Sequence, residues 1–299
     1  MTPDQYCQDK AAKSGSSFYY SFLFLPPERR RAITALYAFC REVDDVVDEV
    51  SDPSVARVKL GWWRKQVAAL YEGKAEHPVT RALAPHIAAY GLEQDKLQAI
   101  ITGMEMDLDQ TRYLDFAGLK KYCWHVAGVV GELSARIFGF TDARTLQYAQ
   151  ELGLAFQLTN IIRDVGDDAR RGRIYLPVND LQRFQVKAAD ILNARHSDNF
   201  VALMRFQTQR ARATYRSALA LLPQADRRAQ RPGLIMAAIY HALLVEIEHD
   251  EFPVLQQRIS LTPLRKLWLA WKTWVRGGKL DLPPVPALAE PPAPPQSDA

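Results

Sequence analysis

The chain has 299 residues, 48% hydrophobic and 24% charged, which is typical of a globular protein with a sizeable core. Its net charge of +4 is too small to indicate a nucleic-acid-binding protein. Three separated cysteines without a Cys-x-x-Cys pair argue against a zinc site. The sequence has neither a signal-peptide pattern nor an apolar run of about 18 residues, which predicts a cytoplasmic protein.

Hydrophobic residues recur with the 3.6-residue period of a helix along nearly the whole chain, and strand-like alternation is missing. Proline and glycine separate the periodic stretches. We predict helices over seven segments: 28–50, 54–72, 93–111, 116–138, 143–168, 199–221 and 232–251. We interpret residues 1–280 as one all-α domain and the segment 281–299, rich in proline and alanine, as a disordered tail.

The helix predicted over 28–50 carries two neighbouring stripes. One is apolar and consists of Leu36, Cys40, Val43, Val47 and Val50. The stripe beside it runs from aromatic to acidic and consists of Tyr37, Arg41, Asp44 and Asp48. An ordinary surface helix places its charges opposite the core, so carboxylates next to the core-facing stripe indicate a cavity.

The helix predicted over 143–168 repeats this pattern. Its apolar stripe consists of Leu154, Leu158, Ile161 and Val165, and the neighbouring stripe consists of Gly153, Gln157, Asn160, Asp164 and Asp168. In both helices two carboxylates are four positions apart, which places them about 6 Å apart on one face. Mg²⁺ binds a few carboxylates and takes further oxygen ligands from water and substrate phosphates. We therefore predict a Mg²⁺-dependent enzyme acting on a diphosphate, with Asp44, Asp48, Asp164 and Asp168 as metal ligands.

The segment 264–276 is amphipathic. Its apolar face consists of Leu264, Leu267, Trp268, Trp271, Trp274 and Val275, and basic residues occupy the rest. Two interpretations stay open: a terminal helix packed on the body of the protein, or a helix lying in a membrane interface. The second predicts peripheral contact with the inner face of the cytoplasmic membrane.

Functions of other classes also fit parts of the sequence. A single acidic run is typical of a solvated helix face, and a non-catalytic helical scaffold is one alternative. Glu246 and His249 form the ExxH spacing of di-metal helical bundles, although a second ExxH is absent from the sequence. The sequence has no Walker loop, GxGxxG or HExxH motif that would indicate nucleotide hydrolysis or zinc proteolysis.

Five ordered motifs between about residues 14 and 260 resemble those of the squalene/phytoene synthases, the head-to-head group of trans-isoprenyl diphosphate synthases. They are Ser-Gly-Ser-Ser-Phe18-Tyr-Tyr, Tyr37-Ala-Phe-Cys-Arg41-Glu-Val-Asp44-Asp45-Val-Val-Asp48, Tyr122-Cys-Trp-His-Val-Ala-Gly128-Val-Val-Gly131, Gln157-Leu-Thr-Asn160-Ile-Ile-Arg163-Asp164-Val-Gly-Asp-Asp168 and Gly172-Arg173-Ile-Tyr175-Leu-Pro. Within the family, the stretches FYYSFLFLPPERRRAITALYAFCREVDDVVDE and GMEMDLDQTRY are most similar to the bacterial presqualene diphosphate synthases of the hopanoid route. The resemblance implies a terpenoid-synthase helical bundle with a central cavity.

The resemblance also implies a reaction. Two farnesyl diphosphates would condense to presqualene diphosphate, with Mg²⁺, or Mn²⁺ in its place, neutralising the departing diphosphate. Tyr122 matches a tyrosine near the final proton loss, for which released diphosphate is the alternative acceptor. Asn160 would support the metal site as well as the substrate. The matched substrate-binding positions are Phe18, Tyr37, Arg41, Gln157, Asn160, Arg163, Arg173, Tyr175, Tyr240 and Arg258.

The length of the substrate and the second half-reaction stay open at this point. A phytoene synthase would use geranylgeranyl diphosphate in a similar tunnel, and a complete squalene synthase would add a reduction by NADPH. We expect no NADPH requirement, because no nucleotide-binding motif is present. The expected product is then presqualene diphosphate, which downstream enzymes of the squalene pathway would consume.

Overall fold

The computed structural model describes residues 1–13, 18–50, 52–278 and 280. Over these residues it contains helices and one isolated parallel bridge between Arg112 and Ile174, but no strand. The α-helices are numbered in chain order: α1 Pro3–Lys13, α2 Phe18–Phe22, α3 Pro27–Glu49, α4 Pro53–Tyr71, α5 Pro78–Tyr90, α6 Gln94–Asp109, α7 Phe116–Cys123, α8 Val129–Phe138, α9 Arg144–Arg170, α10 Val178–Arg183, α11 Ala188–Leu192, α12 Asp198–Leu221, α13 Arg231–His249 and α14 Pro263–Val275. The all-α prediction is confirmed. The predicted tail 281–299 lies outside the described residues, and the domain boundary at 280 stays a prediction.

The seven predicted helices are all present, with two kinds of difference. The segment predicted as one helix over 116–138 is interrupted by a π-helical turn at Trp124–Gly128. Shorter helices outside the predicted segments were missed, among them α5, whose internal Pro85 weakens the helical signal. α5 nevertheless has favourable ends, because Pro78 occupies its first turn and Gly91 closes it in the left-handed conformation, with φ +58°.

Both acidic motifs lie at the C-terminal ends of long helices. α3 ends at Glu49, shortly before Asp52 caps α4 by accepting a hydrogen bond from the Ser54 backbone N–H at 2.8 Å. α9 ends at Arg170, two residues before Gly172. Because the C-terminus of a helix carries partial negative charge, carboxylates in the last turns are electrostatically unfavourable unless cations lie nearby.

α3 and α9 lie in two packed groups of helices that enclose a cavity. α9 packs against α8, α12 and α13, and α3 packs against α1, α5 and α6. α8 and the π-helical turn before it lie very close to α9. A Cβ atom on Gly131 of α8 or on Gly153 of α9 would overlap a backbone carbonyl oxygen of the facing segment. No described helix is both long enough and apolar enough to cross a membrane.

α14 packs on the body of the protein and still presents an apolar outer face. Its buried side includes Ala270 and Thr273. The prediction that Trp274 shares the outer apolar face is wrong, because this ring points inward and stacks on Phe24 with centroids 5.0 Å apart. The Arg231 guanidinium lies 4.8 Å from the centre of the Trp274 ring on the same inner side.

Candidate active site

A cavity of about 540 Å³ lies between α3 and α9. Most of its charged lining residues come from the C-terminal halves of these two helices. Arg173, which follows α9, reaches across to Asp48 of α3 at 3.3 Å. The N-terminal halves contribute an apolar lining with their neighbours, including Ile33, Leu36, Phe138, Leu152 and Met236. The cavity is therefore charged at one end and apolar along the rest, as an amphiphile with an anionic head requires.

All but one of the predicted site residues line this cavity. They are Phe18, Tyr37, Arg41, Asp44, Asp48, Tyr122, Gln157, Asn160, Arg163, Asp164, Asp168, Arg173, Tyr175 and Arg258. Tyr240 is the exception, although α13, which carries it, contributes Met236 to the lining. The Tyr240 ring contacts Phe156 at 5.0 Å and its hydroxyl is hydrogen-bonded to Arg163. Tyr240 thus lies against two lining residues, Phe156 and Arg163, and its role in substrate binding stays a prediction.

Arginines pair with the carboxylates on both sides of the cavity. On the α3 side, Arg41 contacts Asp44 at 2.5 Å, and Arg171 contacts Asp48 at 3.0 Å. Asp45, which is not one of the predicted metal ligands, is bound by Lys10 at 2.8 Å and by Arg41. These contacts keep Asp45 on the outer side of the motif.

Asp164 is the most strongly held carboxylate on the α9 side. Its Oδ1 accepts hydrogen bonds from Arg163 Nε at 2.7 Å and from Arg258 Nε at 2.8 Å. Burial alone would raise the pKa of Asp164, but these two guanidinium groups hold it below its ordinary value. Arg258, far away in sequence, thus joins the charged end of the cavity as predicted from the family motifs.

Two carboxylates of the acidic motifs, Asp44 and Asp168, have raised pKa values. Burial, with Asp48 nearby, raises the pKa of Asp44 to about 7 although Arg41 opposes the rise. Burial, with Asp164 one turn away, raises the pKa of Asp168 to about 8 although Arg173 opposes it. Each acidic motif therefore has one member that binds protons near neutral pH unless another cation arrives.

Asp107 is a site residue that the sequence reasoning missed. This α6 carboxylate is buried in the cavity wall and accepts hydrogen bonds from the Tyr122 hydroxyl at 2.8 Å and the Tyr175 hydroxyl at 2.7 Å. The two tyrosine rings stack with centroids 5.3 Å apart. Burial raises the pKa of Asp107 to about 6, against the lowering effect of the two hydroxyls and Arg173. The available signal was an acidic residue on the core-facing stripe of Leu97, Ile100, Ile101, Met104 and Leu108.

The oxygen donors at the charged end suit a hard cation. Within the described residues, no three His, Cys, Asp or Glu side chains converge on one preformed metal centre. The four aspartates nevertheless supply hard oxygen donors, as Mg²⁺ prefers. The Asn160 Oδ1 atom is buried without a hydrogen-bond partner, while its Nδ2 donates to Gln157 at 3.3 Å. An orphaned amide oxygen beside partly protonated carboxylates fits a site that is completed by a cation.

The ExxH alternative is not supported by the positions of its two residues. Glu246 forms an ion pair with Arg265 at 2.5 Å, and the His249 side chain lies on the surface beside Asp250. Neither residue lines the cavity. A di-metal centre at this spacing would require both side chains to point into a helical core.

The squalene/phytoene synthase family model matches residues 11–265 of the chain. The chain belongs to this family. Among its sequence relatives, a phytoene synthase from Arthrospira platensis is 35% identical over 274 residues, covering 87% of this chain and 89% of the relative. A 15-cis-phytoene synthase from Synechocystis is 33% identical over 282 residues, covering 90% and 84%.

Solved structures of family members have the same fold. A dehydrosqualene synthase crystallised with a ligand superimposes with a TM-score of 0.80 at 28% identity, covering 92% of this chain and 96% of that chain. The squalene synthase HpnC from Alicyclobacillus acidocaldarius gives 0.71 at 27% identity, covering 84% and 94%. The predicted terpenoid-synthase bundle is confirmed, and the chain is a member of a prenyltransferase-type family of isoprenoid biosynthesis. The hopanoid-type branch stays a prediction.

Proposed function

We propose that the protein condenses two farnesyl diphosphates head to head into presqualene diphosphate and diphosphate. One observation carries the proposal: two acidic helix ends and several arginines meet at one end of a cavity whose remainder is apolar and aromatic. The charged end suits the diphosphates, and the apolar part suits two prenyl chains.

The residues at the charged end have complementary roles in this proposal. Asp44, Asp48, Asp164 and Asp168, with the Asn160 oxygen, would hold Mg²⁺. When bound, Mg²⁺ would act as a Lewis acid on the departing diphosphate. Arg41, Arg163, Arg173 and Arg258 would bind phosphate oxygens by charge-assisted hydrogen bonds.

Loss of diphosphate from one substrate leaves an allylic cation, which the C2–C3 double bond of the other substrate attacks. Loss of a proton from C1 of the first substrate then closes the cyclopropane ring. Phe18 and Tyr37, whose ring centroids are 5.7 Å apart, line the cavity and can stabilise the cation through their faces. Closely packed apolar walls also exclude water, which would otherwise trap the cation as an alcohol.

Tyr122 and Asp107 form a possible path for the departing proton. Burial and the neighbouring Asp107 raise the pKa of the Tyr122 hydroxyl well above 10, so Tyr122 is a neutral phenol at neutral pH. A neutral phenol accepts a proton only if it passes its own proton on, and its hydroxyl donates to Asp107. The raised pKa of Asp107 suits it to receive that proton. Released diphosphate is the competing acceptor.

Phytoene synthesis from two geranylgeranyl diphosphates is the second candidate. The curated relatives described above favour it, since both are phytoene synthases. The two solved structures at 27–28% identity are instead a dehydrosqualene synthase and a squalene synthase, which favours the shorter substrate. Complete squalene synthesis would in addition require NADPH, which the proposal does not include.

A product assay tests these candidates. Purified protein and Mg²⁺ are incubated with farnesyl diphosphate, with and without NADPH, or with geranylgeranyl diphosphate, and the products are identified by mass spectrometry. Formation of presqualene diphosphate both with and without NADPH supports the proposal. Formation of squalene only when NADPH is present would show instead that the protein is a complete squalene synthase. A C40 product formed only from geranylgeranyl diphosphate identifies a phytoene synthase. Omission of Mg²⁺ with added chelator should abolish every product, and Mn²⁺ should restore activity.

A further inference from the structure

The outer face of α14 is apolar although it points away from the protein. Trp268 and Trp271 are 53% and 56% exposed, and three aliphatic residues share their side of the helix: Leu264, Leu267 and Val275. At 100° per residue these five positions fall within an arc of about 100°. A helix that only covers the body of a protein would turn this arc inward, whereas α14 buries Ala270 and Thr273 instead.

Basic residues border the apolar arc. Lys272 and Arg276 follow it along one edge, and the Lys272 ammonium lies 4.7 Å from the Trp268 ring centre. The sequence of α14 contains three basic residues and no acidic one. In an antiparallel isologous contact with a second copy, the two basic edges would approach each other, which is unfavourable. Tryptophans at headgroup depth beside basic side chains are typical of helices that lie in an anionic membrane interface.

The helix α2 contacts α14 and is also a wall of the cavity. On one side of α2, Phe18, Ser21 and Phe22 line the cavity. Its other side meets α14, where Lys266 lies 5.8 Å from the Tyr20 ring. Tyr19 is exposed beside this contact. The five-residue helix α2 therefore contacts both the cavity and α14.

We propose that the outer faces of α14 and α2 form a docking surface for an anionic lipid bilayer, and that the apolar product leaves the cavity past α2 directly into the lipid. The second part rests on the proposed function, because only a large apolar product gains from this route. Release through water would expose the apolar surface of the product to solvent, so direct transfer into lipid favours product release.

Vesicle flotation of the full chain tests the docking surface without any substrate. The vesicles contain equal parts of phosphatidylcholine and phosphatidylglycerol, with pure phosphatidylcholine as the comparison. W268S/W271S should bind the anionic vesicles at least about tenfold more weakly than wild type. The control V58S/L192S removes two exposed apolar side chains from α4 and α11 and should bind like wild type. K272Q should weaken binding to anionic vesicles about fivefold and leave binding to neutral vesicles unchanged.

Three results would overturn the docking surface. The first is equal binding of wild type and W268S/W271S. The second is a wild-type dimer, measured by light scattering, that W268S/W271S converts into a monomer, because the face would then bind a second copy. The third is vesicle binding only after removal of 281–299, because that segment would then cover the face.

Turnover tests the exit route separately. In detergent, wild type and W268S/W271S should form product at equal rates, because neither tryptophan lines the cavity. Without detergent, anionic vesicles should accelerate the wild type several-fold and leave the variant unchanged. Equal stimulation of both proteins would refute the exit route. A wild type that binds vesicles but forms no product in detergent would refute the proposed function and leave the docking surface standing.

Discussion

Replacing Asp107 by Asn should stabilise the fold and impair turnover at the same time. Burial raises the pKa of Asp107 from 3.8 to about 6. Its ionised form above pH 6 therefore costs the folded state about 3 kcal/mol, at about 1.4 kcal/mol per unit of pKa. Asn has nearly the same shape and can still meet the Tyr122 and Tyr175 hydroxyls without a charge. Weaker hydrogen bonds subtract about 1 kcal/mol, so we expect D107N to gain about 2 kcal/mol in the free energy of unfolding.

The sign of this effect can be checked by urea unfolding in chelator at two pH values. The folded pKa is raised, so the destabilisation appears as pH rises from 3.8 and is complete above about 6. At pH 8 D107N should therefore be more stable than wild type. Near pH 4 the folded carboxyl is already protonated, and the advantage should disappear. Equal destabilisation of D107N at both pH values would refute the reasoning.

Turnover of the same variant tests the proposed proton path. Asn cannot take the proton that Tyr122 would release, so D107N and Y122F should each lose at least about 100-fold in kcat. The double variant should lose little more, because both residues act on one proton. Y175F is the matched control, since it removes the other hydrogen bond to Asp107 and should lose much less. Near-normal turnover of D107N would leave diphosphate as the proton acceptor.

Three further predictions follow from other parts of the structure. Asp44→Asn and Asp164→Asn should each lower product formation at least about 100-fold while circular dichroism and thermal unfolding show an intact fold; normal turnover would contradict the metal assignment. Gly131→Ala should lose about 2 kcal/mol of stability in urea, because its Cβ would overlap a carbonyl oxygen of α9, whereas Gly61→Ala in α4 has open space and should gain about 0.5–1 kcal/mol. Asp226→Ala should cost about 3 kcal/mol, because this buried carboxylate accepts four hydrogen bonds from Thr and backbone donors. These bonds hold the pKa of Asp226 low despite burial. The free energy of unfolding of the wild type should therefore decrease as the pH is lowered below the ordinary carboxyl range, and the variant should lack this part of the pH dependence.

The neighbouring stripes on α3 and α9 were sufficient to predict the main walls of the cavity. The period of a helix fixes which side chains share a face, and Tyr37, Asp44, Gln157 and Asp164 all line the cavity as that period requires. Such an inference needs only local geometry and two matching patterns. It could not supply the pairing partners, because the contact of Arg258 with Asp164 joins residues 94 positions apart.

Other errors arose where the direction of one side chain depends on packing. Trp274 is a tryptophan like its exposed neighbours Trp268 and Trp271, and only its stacking on Phe24 in the structure shows that it points inward. Tyr240 matched a family position, but its ring packs on Phe156 and its hydroxyl meets Arg163, so it is not among the residues that line the cavity. Asp107 was missed because no second carboxylate lies three or four positions from it, although its place on an apolar stripe was visible.

The ion pairs at the charged end join the proposed metal ligands to arginines, and all of these arginines except Arg171 are proposed phosphate ligands. The pairs are Asp44 with Arg41, Asp48 with Arg171 and Arg173, and Asp164 with Arg163 and Arg258. Among the described residues Asp168 has no ion pair, and burial, with Asp164 nearby, raises its pKa. A magnesium diphosphate offers cations to the carboxylates and anionic oxygens to the arginines. We infer that substrate entry exchanges partners on both sides, so that neither group is left as an uncompensated charge in a cavity of low polarity.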